Sequence, residues 1–381
     1  MKKIYHLAVM IALIAFAPSC KKNDSVGSGE TDALSTAKDG LVTLKSGVVV
    51  EKKGVDFYWE GDIHLSKIQL DNLDKYGNLL DKKPDYVGFA KNIHPAYNIP
   101  FENSANGRVV PRAFSIYPTP YNLWAMVRII YGSNLSIAQR QHIASALQEI
   151  EANTNVRFYN ATCEPITDPT YGFQYPNIEF WSIGDSDVST SPLGRQGGVQ
   201  RINLGDFAFD YFWLNNVIIH EVFHSLGMRH EHTRIDRDNN VTINTANLKP
   251  TGLANFNKPS TDYYQSGPYD FHSVMGYSSK TSSESVVYDV NAPMYLKNDQ
   301  TEISQGTTQS DLDRAWLNYF YLPYIARTDV YAELAPNVYK SDNTLMTPQE
   351  RSNLQAQLNN GNPNAPNCCR INNDLNKLTC P

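Results

Sequence analysis

Apolar and polar positions alternate along the chain in patterns that mark out its elements. Between residues 136 and 154, Ile137, Ile143, Leu147 and Ile150 recur at helical spacing behind Ser136, a good N-cap, so a helix is predicted there. WLNNVIIHEVFHSL (213–226) is a strongly apolar helix candidate stopped by Gly227, a residue type that readily takes the left-handed position past a helix end. DLDRAWLNYFY (311–321) is another. The short runs MVRIIY (126–131), VRFY (156–159) and NIEFWSI (177–183) predict strands, and GRQGGVQRINLG (194–205) a glycine-led strand. Residues 41–112 mix short apolar runs with polar residues, with no long periodic helix, and the Pro-rich PRAFSIYPTP (111–120) marks a boundary. Beyond residue 325 the chain is rich in Asn and Pro, with one short helix predicted at TPQERSNLQAQL.

The N-terminus changes the picture. Lys2 and Lys3 precede an apolar run at 7–17 that is too short to span a bilayer and reads as a signal peptide within residues 1–20. Ala15-Phe16-Ala17 is one candidate cleavage site. Ala17-Pro18-Ser19-Cys20 resembles a bacterial lipobox, which would make Cys20 the lipid-bearing residue; the polar tether at 21–40 fits that reading. Either ending predicts export, to the cell surface as a lipoprotein or as a free secreted protein. The 381 residues suffice for one substantial domain with accessory segments. A net charge of −6 without any basic stripe argues against a nucleic-acid partner. Cys163, Cys368, Cys369 and Cys380 allow three disulfide pairings, among which the sequence does not choose.

The candidate chemistry concentrates in HEVFHSLGMRHEH, residues 220–232. His220 and His224 are four apart on a predicted helix, so both imidazoles reach one ion. Glu221 stands where its carboxylate touches a metal-bound water. The chain turns at Gly227, and His230 supplies a third nitrogen. Three neutral His ligands and one open position make a catalytic rather than a structural zinc site. His232 and His272 are expected to be solvated or structural. Downstream, YDFHSVMGY (269–277) offers Met275 with Tyr277 two residues on; taken alone such a Met is core filler, and only the metzincin resemblance implies an apolar floor beneath the His ligands.

These residues resemble the astacin family of zinc endopeptidases within the metzincins. The carriers are His220-Glu221-x-x-His224-x-x-Gly227-x-x-His230-Glu231, then Arg234-Ile235-Asp236-Arg237-Asp238, then Ser273-Val274-Met275-Gly276-Tyr277. Weaker echoes lie at Gly194-Arg195-Gln196-Gly197-Gly198 and Gln309-Ser310-Asp311-Leu312-Asp313. His232 stands where the family usually has Gln, and Gly276 where it usually has His. Family cysteines expected near Asn155, Asp187 and Phe207 are absent, so the family's disulfide pattern is not carried over.

The resemblance implies a two-lobed α+β fold with a twisted upper sheet, an active-site helix and an irregular lower lobe. It implies a protease domain at 113–322, an inhibitory prosegment at 41–112 and a C-terminal extension at 323–381. It also implies one catalytic zinc ion, Glu221 as proton carrier, Tyr277 as a group that swings to the oxyanion, and protein or peptide substrates. GRQGGVQRINLG is a candidate for the edge strand that pairs with substrate, and an ordinary hairpin strand is the rival reading. Glu231 would meet a new N-terminus freed near Arg112-Ala113; a surface charge beside Arg229 or Arg234 is the plainer reading. Trp59-Glu60-Gly61-Asp62 resembles the family's aromatic-x-Gly-Asp switch, in which Asp62 would occupy the open metal position. Lys280 is a candidate contact for an acidic substrate residue, against the plainer reading of an exposed loop lysine. The rival to an enzyme is a catalytically silent, surface-anchored binding protein on a protease scaffold.

Overall fold

A computed structural model describes residues 34, 36–79 and 122–381, except 187, 211–214, 260–262 and 266, together with short pieces at 93–94, 99–100 and 114–115. The signal segment, Cys20 and the Arg112-Ala113 boundary lie outside the described residues. The first described layer is an antiparallel meander of β1 (Gly40–Thr43), β2 (Val49–Lys53), β3 (Asp56–Trp59) and β4 (Ile63–His64). Helix α1 (Lys67–Tyr76) follows. Sequence periodicity missed α1 because it is short and weakly apolar. Its start is nevertheless chemically marked: Ser66 and Gln69 form a reciprocal capping box.

The main sheet is built from β5 (Val127–Tyr131), β6 (Phe158–Asn160), β7 (Asn177–Gly184) and β8 (Val199–Gly205), in the order β8-β7-β5-β6 with every pair parallel. Helix α2 (Ile137–Asn153) connects β5 to β6 and starts at Ser136 in a second capping box. Helix α3 (Asn216–Leu226) packs on α2 and β8. Ile143, Leu147 and Ile150 of α2 meet Ile129, Phe180 and Ile202 of the sheet and Ile218 and Val222 of α3 in one buried core. Each such side chain contributes about 1.5–3 kcal/mol on burial, so this core fixes where α3 lies.

A second core, formed by residues that follow α3 in the chain, gathers Val241, Leu248, Phe256, Tyr269, Met294 and Tyr295 around short elements: β9 (Val241–Ile243), α4 (Pro250–Asn255) and β10 (Tyr295–Lys297). Helix α5 (Asp311–Phe320) returns to the first core. After it, α6 (Pro348–Leu358) is the one helix of the C-terminal region among the described residues. That region is sewn to the sheet rather than hung from it. Tyr131 donates its hydroxyl to Leu375 O at 2.7 Å, Asn373 accepts from Asn160 N at 2.8 Å, and Cys163 is disulfide-bonded to Cys380. Cys368 and Cys369 form a vicinal disulfide.

The proposed substrate edge moves. β8 is not free on its outer side, because Thr190 and Asn203 exchange both backbone hydrogen bonds at 2.9 Å. The open edge is the short 189–191 segment. It is already taken by Asp62–His64: Ser191 N donates to Asp62 O at 3.1 Å and His64 N to Ser191 O at 3.0 Å.

Candidate metal centre

Helix α3 presents His220 and His224 on one face, as a four-residue spacing requires. It stops at Gly227, whose φ of 110° is left-handed. Its last four carbonyls, orphaned in any helix, all find donors. Met228 N serves Phe223 O, Gly227 N and Gly194 N serve His224 O, the Trp124 indole serves Ser225 O and the Tyr321 hydroxyl serves Leu226 O. The helix end is thereby held rigidly, and the chain doubles back to bring in His230.

The three Nε2 atoms converge. His224 lies 3.1 Å from His220 and 3.2 Å from His230, and His230 lies 3.3 Å from His220. His220 and His224 place Nδ1 at 2.8 Å from the carbonyls of Val274 and Met228. Those carbonyls only accept, so the protons sit on Nδ1 and the Nε2 lone pairs face one another. Lone pairs so close repel unless a cation lies between them. Three nitrogens about 2.0–2.1 Å from one tetrahedral zinc stand about 3.3 Å apart, and the observed spacing fits that. All three rings are buried. Burial pulls the His230 imidazole down to about 3, and that of His224 downward too, which keeps both neutral and able to ligate.

Asp62 closes the set. Its Oδ2 is 3.2 Å from His230 Nε2 and 3.6 Å from His220 Nε2, and its Oδ1 is 3.5 Å from His224 Nε2. Burial raises its carboxyl, but the three histidines outweigh that and hold it well below its ordinary value. The backbone around it is tightly constrained. Gly61 has φ of 98°, and a Cβ there would lie 2.8 Å from Asn255 Nδ2 and 3.1 Å from the Tyr277 hydroxyl. Glu60, at φ 54°, is a non-glycine residue in left-handed conformation, a strain of the kind that concentrates at functional sites.

Glu221 is buried beside this cluster, and its Oε2 has no hydrogen-bond partner among the described residues. Desolvation, then the Asp62 charge, pushes its carboxyl well above the ordinary range. Tyr277 donates its hydroxyl to Glu60 O at 2.9 Å and lies 3.3 Å from Asp62 Oδ2. Met275 is buried under the site. Its carbonyl accepts from Glu231 N at 3.0 Å, which ties the methionine turn to the segment carrying His230.

For several residues the structure chooses between the alternatives the sequence left open. His232 is not solvated; it is buried, with its ring 3.9 Å from Tyr277, 4.8 Å from His230 and 4.9 Å from Phe256. It wedges Tyr277 in place. His272 is exposed. Glu231 is no surface charge: it is buried, accepts from Asp270 N at 2.8 Å and lies 3.4 Å from Arg234 Nη1. Lys280 is exposed and pairs with Glu302 at 2.6 Å. The roles of three residues were not read from the sequence. Glu60 ion-pairs with Arg229. Asp313, at the start of α5, accepts from Ser273 Oγ at 2.8 Å and Val274 N at 3.0 Å and so anchors the methionine turn. Asp313 had entered only as part of the weak family echo Gln309-Ser310-Asp311-Leu312-Asp313.

The family model described as Astacin (Peptidase family M12A) matches residues 117–322. Among curated proteins, the chain is 31% identical over 216 residues to Zinc metalloproteinase nas-14 of Caenorhabditis elegans, covering 55% of this chain and 39% of that protein. It is 30% identical over 200 residues to High choriolytic enzyme 2 of Oryzias latipes, covering 52% and 65%. The chain thus spans less than two thirds of the length of either relative. A solved structure of High choriolytic enzyme 1, a hatching enzyme zinc-protease from Oryzias latipes, aligns at 23% identity with a TM-score of 0.45, covering 55% of this chain and 98% of that one.

Proposed function

The chain belongs to the astacin family of zinc peptidases, and on that premise we propose that it is an exported zinc endopeptidase made as a zymogen. The observation that carries the reading is the Asp62 carboxylate lying among three converging histidine nitrogens. A zinc ion held by His220, His224 and His230 would supply Lewis-acid polarisation of a peptide carbonyl and acidify a water. Glu221 takes the water's proton and passes it to the leaving nitrogen. The Tyr277 hydroxyl, engaged here with Glu60 O and near Asp62, turns to the oxyanion once the prosegment leaves.

Latency follows from occupancy. Asp62 fills the position that water and substrate need, and Asp62–His64 cover the strand edge at 189–191 that an extended peptide would pair with. Cleavage near Arg112-Ala113 would free an N-terminus for Glu231, whose present partners are Arg234 and Asp270 N. N-terminal sequencing of active protein tests that site, and a start far from Ala113 defeats it. Export rests on Lys2, Lys3 and the apolar run behind them, with Cys20 the candidate lipid anchor.

The deciding experiment is casein digestion by the activated chain, with and without chelator, beside Glu221→Gln. Digestion abolished by both treatments supports the reading. Digestion that survives either one sinks the mechanism, and no digestion at all favours a silent binding protein.

A further inference from the structure

Two clusters of metal-ligating side chains occur among the described residues. One is the histidine centre with Asp62. The other joins Asp329, Cys368 and Cys369, all of which follow the region that the family model matches. The ligand atoms of these three residues lie within 4.8 Å of one another. Side chains of neighbouring residues point to opposite sides of an extended chain. Here Cys369 takes a left-handed φ of 75°, and both sulfurs come together beside Asp329.

The bridge between these cysteines does little for the fold. A disulfide stabilises chiefly by closing a loop of the unfolded chain. Cys163 and Cys380 are 217 positions apart, whereas Cys368 and Cys369 are neighbours and close no loop. Other contacts hold the backbone around the pair. Arg327 Nη2 donates to Cys368 O at 3.0 Å, Thr328 N to Cys369 O at 2.8 Å and Ile371 N to Ala326 O at 2.8 Å. Arg327 also grips Asp329 in a fork, Nε at 2.7 Å from Oδ1 and Nη2 at 2.8 Å from Oδ2. Opening the bridge therefore leaves both sulfurs and the carboxylate close together. Cys368 is exposed, so a small thiol reaches the bridge from solvent.

We propose that Cys368, Cys369 and Asp329 form a redox-gated site for a thiophilic divalent cation of the Zn2+ or Cd2+ type, closed while the bridge stands and open once it is reduced. Two thiols of a small-molecule reductant give the bridge two electrons and two protons and leave as their own disulfide. The S–S bond breaks and two S–H bonds form. The cation then displaces both protons and forms two bonds to sulfur. The charges balance. Two thiolates neutralise the cation, while Asp329 and Glu333 are already matched by Arg327 and Arg370. Arg327 and the Tyr331 amide use three of the about four acceptor sites of the Asp329 carboxylate, which leaves one for the cation. Thiolates select soft cations over Mg2+ or Ca2+. The site stands apart from the peptidase reading, since neither its residues nor its test involve turnover.

The test uses the full, zinc-loaded chain and Cd2+, whose thiolate complexes absorb in the ultraviolet. Cd2+ that replaces zinc among the histidines adds no such band, because no sulfur ligates there. One sample is reduced with dithiothreitol, freed of it under nitrogen and titrated beside untreated chain. Reduced wild type should take up about one Cd2+ per chain with a thiolate band, and untreated wild type should show none. Reduction also reaches Cys163–Cys380, so Cys368→Ser/Cys369→Ser serves as the control. After reduction it should lose the band although Cys20, Cys163 and Cys380 remain. Asp329→Asn should weaken Cd2+ binding about tenfold or more. A reduced wild type without the band, or a double variant that keeps it, overturns the site. A band in the untreated chain overturns the gating, and unchanged affinity in Asp329→Asn overturns the three-ligand set.

Discussion

Asp62 and His230 lie 168 residues apart in sequence and 3.2 Å apart in space, Oδ2 to Nε2. The contact joins a strand turn that precedes the family-matched region to the last of three converging histidines. It is held from both sides: Tyr277 and Asn255 crowd Gly61, and Ser191 grips the backbone at Asp62 and His64.

Asp62→Ala should release activity from the uncleaved chain. A charge-assisted contact contributes about 1.5–3 kcal/mol, so casein hydrolysis by unprocessed protein should rise about tenfold or more. Glu60–Arg229 and the 189–191 pairing remain, so activity should stay below that of fully processed enzyme. An Asp62→Ala chain as latent as wild type would remove the switch from Asp62.

Tyr277→Phe should bind zinc with little change and lose most turnover. Loss of one oxyanion donor typically costs about 2.7–4 kcal/mol, or about 100- to 1,000-fold in kcat. Metal content by atomic absorption and kcat on one peptide check both halves. Full activity in the variant would exclude the hydroxyl from the reaction.

The anchor of the methionine turn should show in pH-dependent stability. Burial, then the neighbouring Asp270 charge, raises the Asp313 carboxyl from 3.8 to about 6. The folded chain therefore holds this proton more tightly than the unfolded chain does. Its contribution to stability is fullest below about pH 4 and declines as pH rises to about 6. Asp313→Asn keeps an acceptor for Val274 N and Ser310 N but cannot ionise. The stability of wild type relative to this variant should fall across that window by at most about 3 kcal/mol. Urea unfolding at several pH values reads the difference, and a flat one refutes the assignment. Relative to Asp313→Asn, Asp313→Ala should cost about 2–4 kcal/mol at any pH by stranding buried amides.

Cys380→Ser should destabilise the fold by about 2–5 kcal/mol under non-reducing conditions. The bridge to Cys163 spans 217 residues and fastens the C-terminal region near the outer edge of the sheet. Equilibrium unfolding compares the two chains, and identical midpoints would show that the remaining hydrogen bonds suffice.

Much of the centre was legible in the chain because its parts are local. The four-residue spacing of His220 and His224, the stop at Gly227 and the cap at Ser136 are all set within one or two helical turns. Helix α1 escaped notice because its core contacts rest on Leu70 and Leu73, too few to raise a periodic signal. His232 was expected to be solvated or structural, and the chain could not choose, because a histidine's type does not report the aromatic wall of Tyr277 and Phe256 that buries it.

The sequence by itself determined the ligand types, their order and the helix that presents two of them, since backbone periodicity converts spacing directly into a shared face. Tertiary structure alone decided what meets them. Glu60 finds Arg229 across 169 positions, Asp313 reaches Val274 across 39, and the open edge shifts from β8 to residues 189–191. Those outcomes depend on how two cores bring distant segments together. A buried charge must take whatever partner the packing places beside it, and no local pattern encodes that distance.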